Sequence, residues 1–325
     1  MRRRDFIRVI GGAAAAWPLG ARAQQPPVPT IGYLNGDSPN GSLEAAFRKG
    51  LSEMGFVESR NLAIEFRYAG NQFDRLPALA AELVRLRVAM IFAAGGAVTV
   101  PVAKAATTTI PIVFSTGANP VQTGMVASFN RPGGNVTGIS SINTELTSKR
   151  LELLHALLPA AARFAVLVNP NVRTAASETA DAQAAAATIG RQIEVFTAST
   201  DREIDAAFES MVQKRADALL IGTNTFFTTR RVQFATLAAR HTLPAIYFGR
   251  AFVEAGGLMS YGANNDFLYR LGGIYVGRIL KGERPADLPV MQPTKFELVI
   301  NLQAARLLGV EVSPTLRALA DEVIE

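Results

Sequence analysis

The stretch IVFSTGANPVQTGMVASFNRPGGNVTGISS, residues Ile112–Ser141, decides the predicted fold. It opens with an apolar run, Ile112–Phe114, which has the composition of a buried parallel strand, and then changes to small polar residues. A second loop, Arg131–Asn135, precedes another β-like run. In an open α/β sheet, ligands bind outside the carboxyl ends of the strands. We therefore predict that this stretch forms one wall of a ligand site and then leaves for a second lobe.

The composition excludes several classes of protein. With 325 residues, 49% of them hydrophobic, the chain can bury a substantial core. It contains no Cys and only two His, His155 and His241, so we expect no disulfide, no metal and no cofactor. The net charge is +6, of which +4 comes from residues 1–23. The nearly neutral remainder lacks the basic stripe that nucleic-acid binding requires, so we expect no nucleic-acid partner.

Residues 1–23 have the anatomy of an export signal. A charged start is followed by a mildly apolar middle at Val9–Leu19 and by an A-x-A site at Ala21–Ala23. The segment Arg3–Arg8, RRDFIR, is similar to the twin-arginine type of signal. The apolar run is shorter than the roughly 20 residues of a membrane span. We therefore expect cleavage after Ala23 and a mature protein in the periplasm that does not span the membrane.

The rest of the chain alternates predicted strands and helices in two successive units, one before about residue 141 and one after it. This β-α order is typical of parallel sheets with right-handed crossovers. We predict an α/β fold with two doubly wound parallel-sheet lobes joined by a hinge. The predicted parts are lobe 1 at 30–141 plus 267–281, lobe 2 at 142–265 plus 294–325, and crossings near 140–145, 262–266 and 285–294.

Strand after predicted strand ends in Asn, Ser, Thr or Gly, which supply neutral donors and acceptors for a small polar ligand. Loops of any α/β domain are rich in these residues, so a purely structural role is an equal alternative at each position. The ligand-binding candidates in lobe 1 are Asn35, Gly36, Gly95, Gly96, Ser115, Thr116, Asn119, Ser140 and Ser141. The candidates in lobe 2 are Asn169, Thr174, Asn224 and Thr225.

Four further candidates could contact an apolar or charged part of a ligand: Phe226, Tyr247, Tyr261 and Asp266. Tyr247 lies inside a predicted strand, so a core position is its favoured alternative. Asp266 could bind a ligand amine, although a role as N-cap of the following helix is favoured. The chain has no GxSxG elbow, P-loop or GxGxxG fingerprint, and we predict that it is not an enzyme.

Four segments carry a resemblance to a known family. The chain resembles ABC-transporter substrate-binding proteins of the TrpX-like group, which have the type I periplasmic binding protein fold, over nearly all of its mature length. The matching segments are Ile110–Phe114 followed by Asn119–Val121, then Arg131–Gly138, Ala255–Gly262 and Gln292–Asn301. Together these motifs are far more specific than a single glycine-rich fingerprint.

The resemblance implies a small-molecule ligand enclosed between two lobes and a monomer that delivers it to the permease and ATPase subunits of an importer. Many relatives have Asp-Pro-Val where this chain has Asn119-Pro120-Val121. The neutral Asn119 changes the expected ligand preference, so tryptophan is not carried over as the ligand. Two alternatives stay open, namely a sensing subunit of a membrane receptor and an enzyme. The enzyme would have titratable groups with strongly perturbed pKa values in the cleft.

Overall fold

Two separate β-sheets organise the chain in the computed structural model, which describes residues 28–172, 174–293 and 295–325. Helices cover the sheets, so the predicted two-lobed α/β fold is confirmed. The predicted export signal at residues 1–23 lies outside the described residues. None of the described helices is long and apolar enough to cross a membrane.

The first sheet has five parallel strands in the order β2-β1-β3-β4-β5. Its inner strands read as continuous apolar runs, such as MIFAA in β3, because helices cover both faces. The strands are β1 (Thr30–Asn35), β2 (Ala63–Tyr68), β3 (Met90–Ala94), β4 (Ile112–Thr116) and β5 (Val136–Ser140). The helices between them are α1 (Gly41–Glu53), α2 (Leu76–Arg85) and α3 (Thr99–Ala106).

The second sheet has seven strands in the order β12-β11-β10-β9-β8-β6-β7. The strands are β6 (Arg163–Val168), β7 (Gln192–Thr197), β8 (Ala218–Ile221), β9 (Ala245–Tyr247), β10 (Met259–Ala263), β11 (Phe296–Asn301) and β12 (Glu322–Ile324). The helices are α4 (Thr147–Leu157), α5 (Ala175–Thr188), α6 (Asp201–Gln213), α7 (Thr225–Thr229), α8 (Arg231–Arg240), α9 (Arg250–Glu254), α10 (Asn265–Leu280), α11 (Leu302–Leu307) and α12 (Pro314–Leu319).

One strand departs from the predicted parallel sheets. Strand β11 runs antiparallel to β10, with Phe296 opposite Ala263 and Ile300 opposite Met259. The reason lies in the path of the chain, because β10 ends where the chain leaves for lobe 1. The chain then returns at that same end of β10, so the incoming strand must run in the opposite direction.

The chain passes between the two sheets three times. It leaves β5 for the turn at residues 143–146 and α4, and it leaves β10 for α10, which packs against α1 of lobe 1. The third passage follows a segment along the edge of β5, where the N–H of Met291 donates to the Gly138 carbonyl at 3.0 Å. The N–H of Ser140 donates in turn to the Met291 carbonyl at 3.0 Å. This pairing covers the edge of the first sheet before the chain enters β11.

Two glycines allow α10 to approach α1 closely. A Cβ atom on Gly50 of α1 would lie 1.9 Å from the Arg270 carbonyl oxygen, and a Cβ on Gly273 of α10 would lie 2.1 Å from the Phe47 carbonyl oxygen. Both contacts are with backbone, which cannot move aside as a side chain can. The two helices share one buried cluster with Phe92 and its neighbours on one face of the first sheet. Lobe 1 therefore depends on a helix that follows lobe 2 in the sequence.

We expect Gly50→Ala to lower the free energy of unfolding by about 1–3 kcal/mol, because the added methyl group forces the two helices apart. The matched control is Gly41→Ala in the same helix, where a Cβ has nothing within 4 Å. The control should unfold at or slightly above the wild-type denaturant midpoint, because alanine is the better helix former. Equal midpoints for the two variants in urea unfolding would contradict the close contact.

Candidate functional site

The loops at the carboxyl ends of the two sheets contact each other across a cleft. A Cβ atom on Gly96, which follows β3, would lie 2.1 Å from Oγ1 of Thr225, the first residue of α7. A Cβ on Gly117, which follows β4, would lie 3.8 Å from Cγ2 of Thr223. Gly96 also has a φ of +108°, a backbone conformation that side-chain-bearing residues rarely adopt. The two lobes are therefore in a closed arrangement.

Three loops of lobe 1 form a single surface on their side of the cleft. The Asn35 side-chain oxygen accepts a hydrogen bond from the N–H of Asp37 at 2.9 Å. The N–H groups of Gly70 and Asn71 donate to the carbonyl oxygens of Asp37 and Gly36 at 3.1 and 2.9 Å. A Cβ on Gly36 would lie 3.0 Å from Oγ1 of Thr99, at the start of α3. The loops after β1, β2 and β3 are thus joined directly.

Four buried polar atoms at the carboxyl ends of the two sheets have no hydrogen-bond partner among the described residues. Three are oxygens of lobe 1, namely Asp37 Oδ1, Asn71 Oδ1 and Thr99 Oγ1, and the fourth is Asn224 Nδ2 of lobe 2. An unsatisfied buried polar group costs about 1–3 kcal/mol. A polar molecule between the lobes would supply the missing partners, so these atoms mark the candidate binding site.

Asp37 carries a charge that the sequence reasoning missed. Burial raises the pKa of its carboxyl group to about 6, and the positive charge of Arg231 on α8 of lobe 2 opposes this rise. The Arg231 guanidinium itself donates a hydrogen bond to the Thr228 carbonyl at 3.3 Å. One sequence signal could have identified Asp37: it directly follows Asn35-Gly36 and is acidic in a series of otherwise neutral strand ends.

A buried arginine joins the first crossing, strand β10 and the loop after β8 on the lobe 2 side of the cleft. Arg150 of α4 is fully buried and donates from Nε to the Tyr261 carbonyl at 2.8 Å. One terminal nitrogen donates to the Asn143 carbonyl at 2.7 Å and the other to Oγ1 of Thr223 at 3.2 Å. Asn143 lies in the first crossing and Tyr261 lies in β10 just before the second, so Arg150 fixes both to the loop after β8.

Glu178 of α5 lies on the other side of that loop. Its carboxylate accepts a hydrogen bond from the N–H of Thr223 at 2.8 Å. Burial raises the pKa of Glu178 to about 7, while Arg150 and Thr223 oppose the rise. Burial also lowers the pKa of Arg150 to about 10, and Glu178 opposes that change, so the guanidinium stays protonated at neutral pH. Sequence reasoning missed both residues, because each looks like an ordinary polar residue of a helix.

Asn119 joins lobe 1 to Glu145 at the end of the first crossing. Its side-chain nitrogen donates to Oε1 of Glu145 at 2.9 Å, and its oxygen accepts from the N–H of Val121 at 3.1 Å. An aspartate here could accept from Val121 but could not donate to Glu145, and it would place two carboxylates together. Asn119, at the position where the sequence resemblance implies an aspartate, therefore contributes a contact between the lobes.

The other lobe 1 candidates mainly hold their own loops. Ser140 and Ser141 donate from Oγ to the Ala118 and Thr116 carbonyls at 2.8 and 3.4 Å, while Oγ1 of Thr116 accepts from the N–H of Ala118 at 3.2 Å. Gly95 has a φ of +75°, and a Cβ there would lie 1.8 Å from the Asn35 side-chain oxygen. Ser115 is buried at the end of β4.

In lobe 2, the structure gives several candidates local roles. The Asn169 side chain accepts from the N–H of Asn171 at 3.0 Å, and the Asn224 oxygen accepts from the N–H of Phe226 at 2.7 Å. The Thr174 carbonyl accepts from Oγ of Ser177 at 2.9 Å. Among the lobe 2 candidates, Asn224 and Tyr247 also keep a buried atom without a partner in the described part of the chain, the amide nitrogen and the hydroxyl oxygen respectively.

The aromatic candidates occupy different surroundings. Tyr247 is fully buried and its ring stacks on Phe252 at a centroid distance of 4.7 Å, which places it in the core. Tyr261 is half-buried near Phe296, with ring centroids 6.0 Å apart. Phe226 is half-buried as well, and the guanidinium of Arg230 lies 5.2 Å from its ring centroid.

The favoured role of Asp266 as a helix N-cap is wrong. Helix α10 begins at Asn265, and its N-cap is Asn264, whose side chain accepts from the N–H of Phe267 at 2.8 Å. Asp266 is exposed in the first turn and accepts a hydrogen bond from Oγ of Ser42 at 2.9 Å. Within the described residues, no three His, Cys, Asp or Glu side chains come together as a metal site requires.

We expect Asp37→Asn to stabilise the unliganded protein at pH 8 by about 1–3 kcal/mol, because the raised pKa means that burial disfavours the charged carboxylate. Between about pH 4 and pH 6, Asp37 is protonated in the folded state and ionised in the unfolded chain. Wild-type stability therefore falls as the pH rises through that window. Arg231 is the titratable neighbour that lowers the pKa of Asp37, while burial and the charge of Asp37 raise the pKa of Tyr269. Urea unfolding at pH 4 should show little difference, and identical curves at pH 8 would contradict a buried carboxylate.

Arg150→Lys should lower the free energy of unfolding by about 2–4 kcal/mol, because one ammonium group cannot reach three acceptors arranged around a planar guanidinium. The matched control is Arg284→Lys, at an exposed arginine that pairs with Asp287. The control should unfold like the wild type in urea. A variant at position 150 that is as stable as the control would show that the three hydrogen bonds do not hold the crossings.

Comparison with known proteins identifies the family of the chain. Residues 32–324 match a family model described as ABC transporter substrate binding protein. A curated relative, the tyrosine-binding protein of Clostridioides difficile strain R20291, is 27% identical over 269 residues. The matched residues are 82% of this chain and 76% of that relative.

Two solved structures resemble the chain over the same extent, 91% of this chain and 99% of each of the others. The structure of an ABC domain in complex with L-Trp from Streptococcus pneumonia has a TM-score of 0.82 at 23% identity. The ligand-free, open structure of a substrate binding protein with adhesive properties from Clostridium difficile has a TM-score of 0.68 at 25% identity.

The family model covers nearly all of the described chain, and the two-lobed fold and the cleft match what the sequence resemblance implies. The protein therefore belongs to the family of ABC transporter substrate binding proteins.

Proposed function

We propose that the chain is the solute-binding protein of an ABC importer and encloses a small amino-acid-like solute, polar or aromatic, between its two lobes. The observation that carries this proposal is the closed cleft, in which loops of both lobes are in contact and four buried polar atoms lack partners among the described residues. These atoms offer hydrogen bonds from both sides at once. A solute that satisfies them stabilises the closed arrangement over an open one.

Two half-buried phenylalanines suit an aromatic part of the solute. Phe73 lies beside the lobe 1 surface, with Cε1 3.2 Å from the position of a Cβ on Gly36, and Phe226 directly follows Thr225 in lobe 2. Binding sites of this kind combine aromatic walls with a few polar groups that orient the ligand. The names of the relatives, a tyrosine-binding protein and a complex with L-Trp, support an aromatic amino acid as the solute class.

The proposed cycle uses the three crossings as the hinge. Lobe 1, residues 30–141 plus 267–281, and lobe 2, residues 142–265 plus 294–325, move as rigid units. Contacts between the lobes form on closure, including the hydrogen bond from Asn119 to Glu145. The permease then recognises the closed surface, and the ATPase subunits drive release of the solute into the cell.

We propose that the chain does not catalyse a reaction on its solute. Two carboxyl groups near the cleft do have raised pKa values, Asp37 and Glu178, which is part of what an enzyme would show. Burial is the main cause in both cases, and the two groups belong to different lobes. Glu178 already accepts a hydrogen bond from the Thr223 backbone. Neither carboxyl group is hydrogen-bonded to a histidine among the described residues, as general acid-base chemistry would favour.

The proposal includes export by residues 1–23 through a twin-arginine signal, cleavage after Ala23, and a monomeric mature protein in the periplasm. The paired arginines and the A-x-A site support this route. Importer families place their solute-binding protein on the outer side of the membrane, which agrees with such a signal.

A thermal-shift screen of the mature protein against the common amino acids, aromatic acids and nucleosides tests the proposed function. An aromatic amino acid at about 100 times its dissociation constant should raise the melting temperature by about 5 °C, because it binds only the folded state. Gly96→Ala should reduce this shift, since the added methyl group meets Thr225, while Gly41→Ala should keep it. A wild type that responds to no solute in the panel would contradict solute binding.

A further inference from the structure

The four unpartnered atoms of the cleft differ in kind between the lobes. All three atoms of lobe 1 are oxygens, and the oxygen of Asp37 belongs to a carboxyl group. The atom of lobe 2 is the amide nitrogen of Asn224, which can only donate. Lobe 1 therefore offers acceptors and a negative charge, whereas lobe 2 offers a donor.

The residues that carry the three oxygens of lobe 1 lie on adjoining loops. The backbones of Asp37 and Asn71 are tied by the hydrogen bonds from Gly70 and Asn71, and Thr99 lies against Gly36. An ammonium group has three donors and no acceptor, so it suits a site of three oxygens. A hydroxyl group would suit it less well, because a hydroxyl offers one donor to a site that contains a carboxylate.

The lobe 2 side adds a positive charge to its donor. Asn224 directly precedes Thr225, the residue that contacts Gly96 of lobe 1, so Asn224 lies next to the junction of the lobes. Arg231 is close enough to Asp37 to oppose the rise in its pKa, although no hydrogen bond joins the two side chains among the described residues. An amide donor and a guanidinium together favour a carboxylate. The two sides of the cleft thus suit the two ends of an α-amino acid.

We propose that Asp37 determines specificity for solutes that carry an ammonium group, which it binds with Asn71 and Thr99, while the solute carboxylate faces Asn224 and Arg231. This inference rests on the proposed solute-binding function and adds the orientation of the solute to it. The amine enters lobe 1, and the carboxylate meets lobe 2 on closure.

The main alternative is that Asp37 only attracts Arg231 and so helps the lobes to close. The two roles differ in what they predict for the solute. A closing contact would be lost equally for every solute when Asp37 is replaced, whereas recognition of the amine would be lost only for solutes that carry one. The experiment therefore compares matched solutes with and without the ammonium group.

Isothermal titration calorimetry at pH 7.5 should compare L-tryptophan and L-tyrosine with their analogues without the amino group, indole-3-propionate and 3-(4-hydroxyphenyl)propionate. The wild type should bind the better amino acid about 100-fold more tightly than its analogue, as expected for a buried charge-assisted contact. Asp37→Asn should remove most of that difference and leave affinity for the analogue the same or higher. Asp74→Asn, at an exposed aspartate of the same lobe, is the matched control and should behave like the wild type.

Four results would overturn the inference. Equal weakening of amino acid and analogue by Asp37→Asn would assign the residue to closure alone, and unchanged affinities would remove it from the site. A wild type that prefers solutes without an amine would contradict the inference and leave solute binding intact. A wild type that binds none of the probes, and that shows no thermal shift with any other solute, would contradict both the inference and the proposed function.

Discussion

The cleft depends on the hydrogen bonds of the buried Arg150 guanidinium. Burying a positive charge is costly unless hydrogen bonds replace its hydration, and three acceptors surround this group. Two of them are backbone carbonyls, that of Asn143 in the first crossing and that of Tyr261 just before the second, so the same charge that requires compensation also fixes these two segments relative to each other. The third is Thr223, which Glu178 holds from the opposite side. The loop that carries Asn224 is therefore positioned from beneath by a buried cation and a carboxyl group.

Sequence reasoning could predict the lobed α/β fold because its signals are local. Apolar runs such as Ile112–Phe114 and the polar loops after them are visible in short windows of sequence. The direction of β11 could not be predicted in that way. It depends on where the chain returns after α10 has packed on lobe 1, and this is a property of the whole path. Likewise, the alternating pattern of the KFELVIN segment indicates a strand without indicating its neighbour.

The candidate site was predictable only in part, because a residue type does not show which of its atoms is already satisfied. Asn35, Asn169 and Asn224 look alike in sequence, yet the first two use their side-chain oxygens to shape their own loops. Asn224 does the same with its oxygen but keeps its amide nitrogen without a partner in the described chain. Asp37 and Arg231 become neighbours only when the lobes meet, so no sequence window contains both.

The return of α10 to lobe 1 has a consequence for the order of folding. Lobe 1 lacks one of its two helical covers until residues near Leu280 have been synthesised, and lobe 2 lacks β11 and β12 until the end of the chain. Domains usually fold from the N-terminus onward as they are made. Here neither lobe is a continuous segment, so neither can be completed before most of the polypeptide exists. The connectivity that takes the chain between the lobes three times also delays folding until the chain is nearly whole.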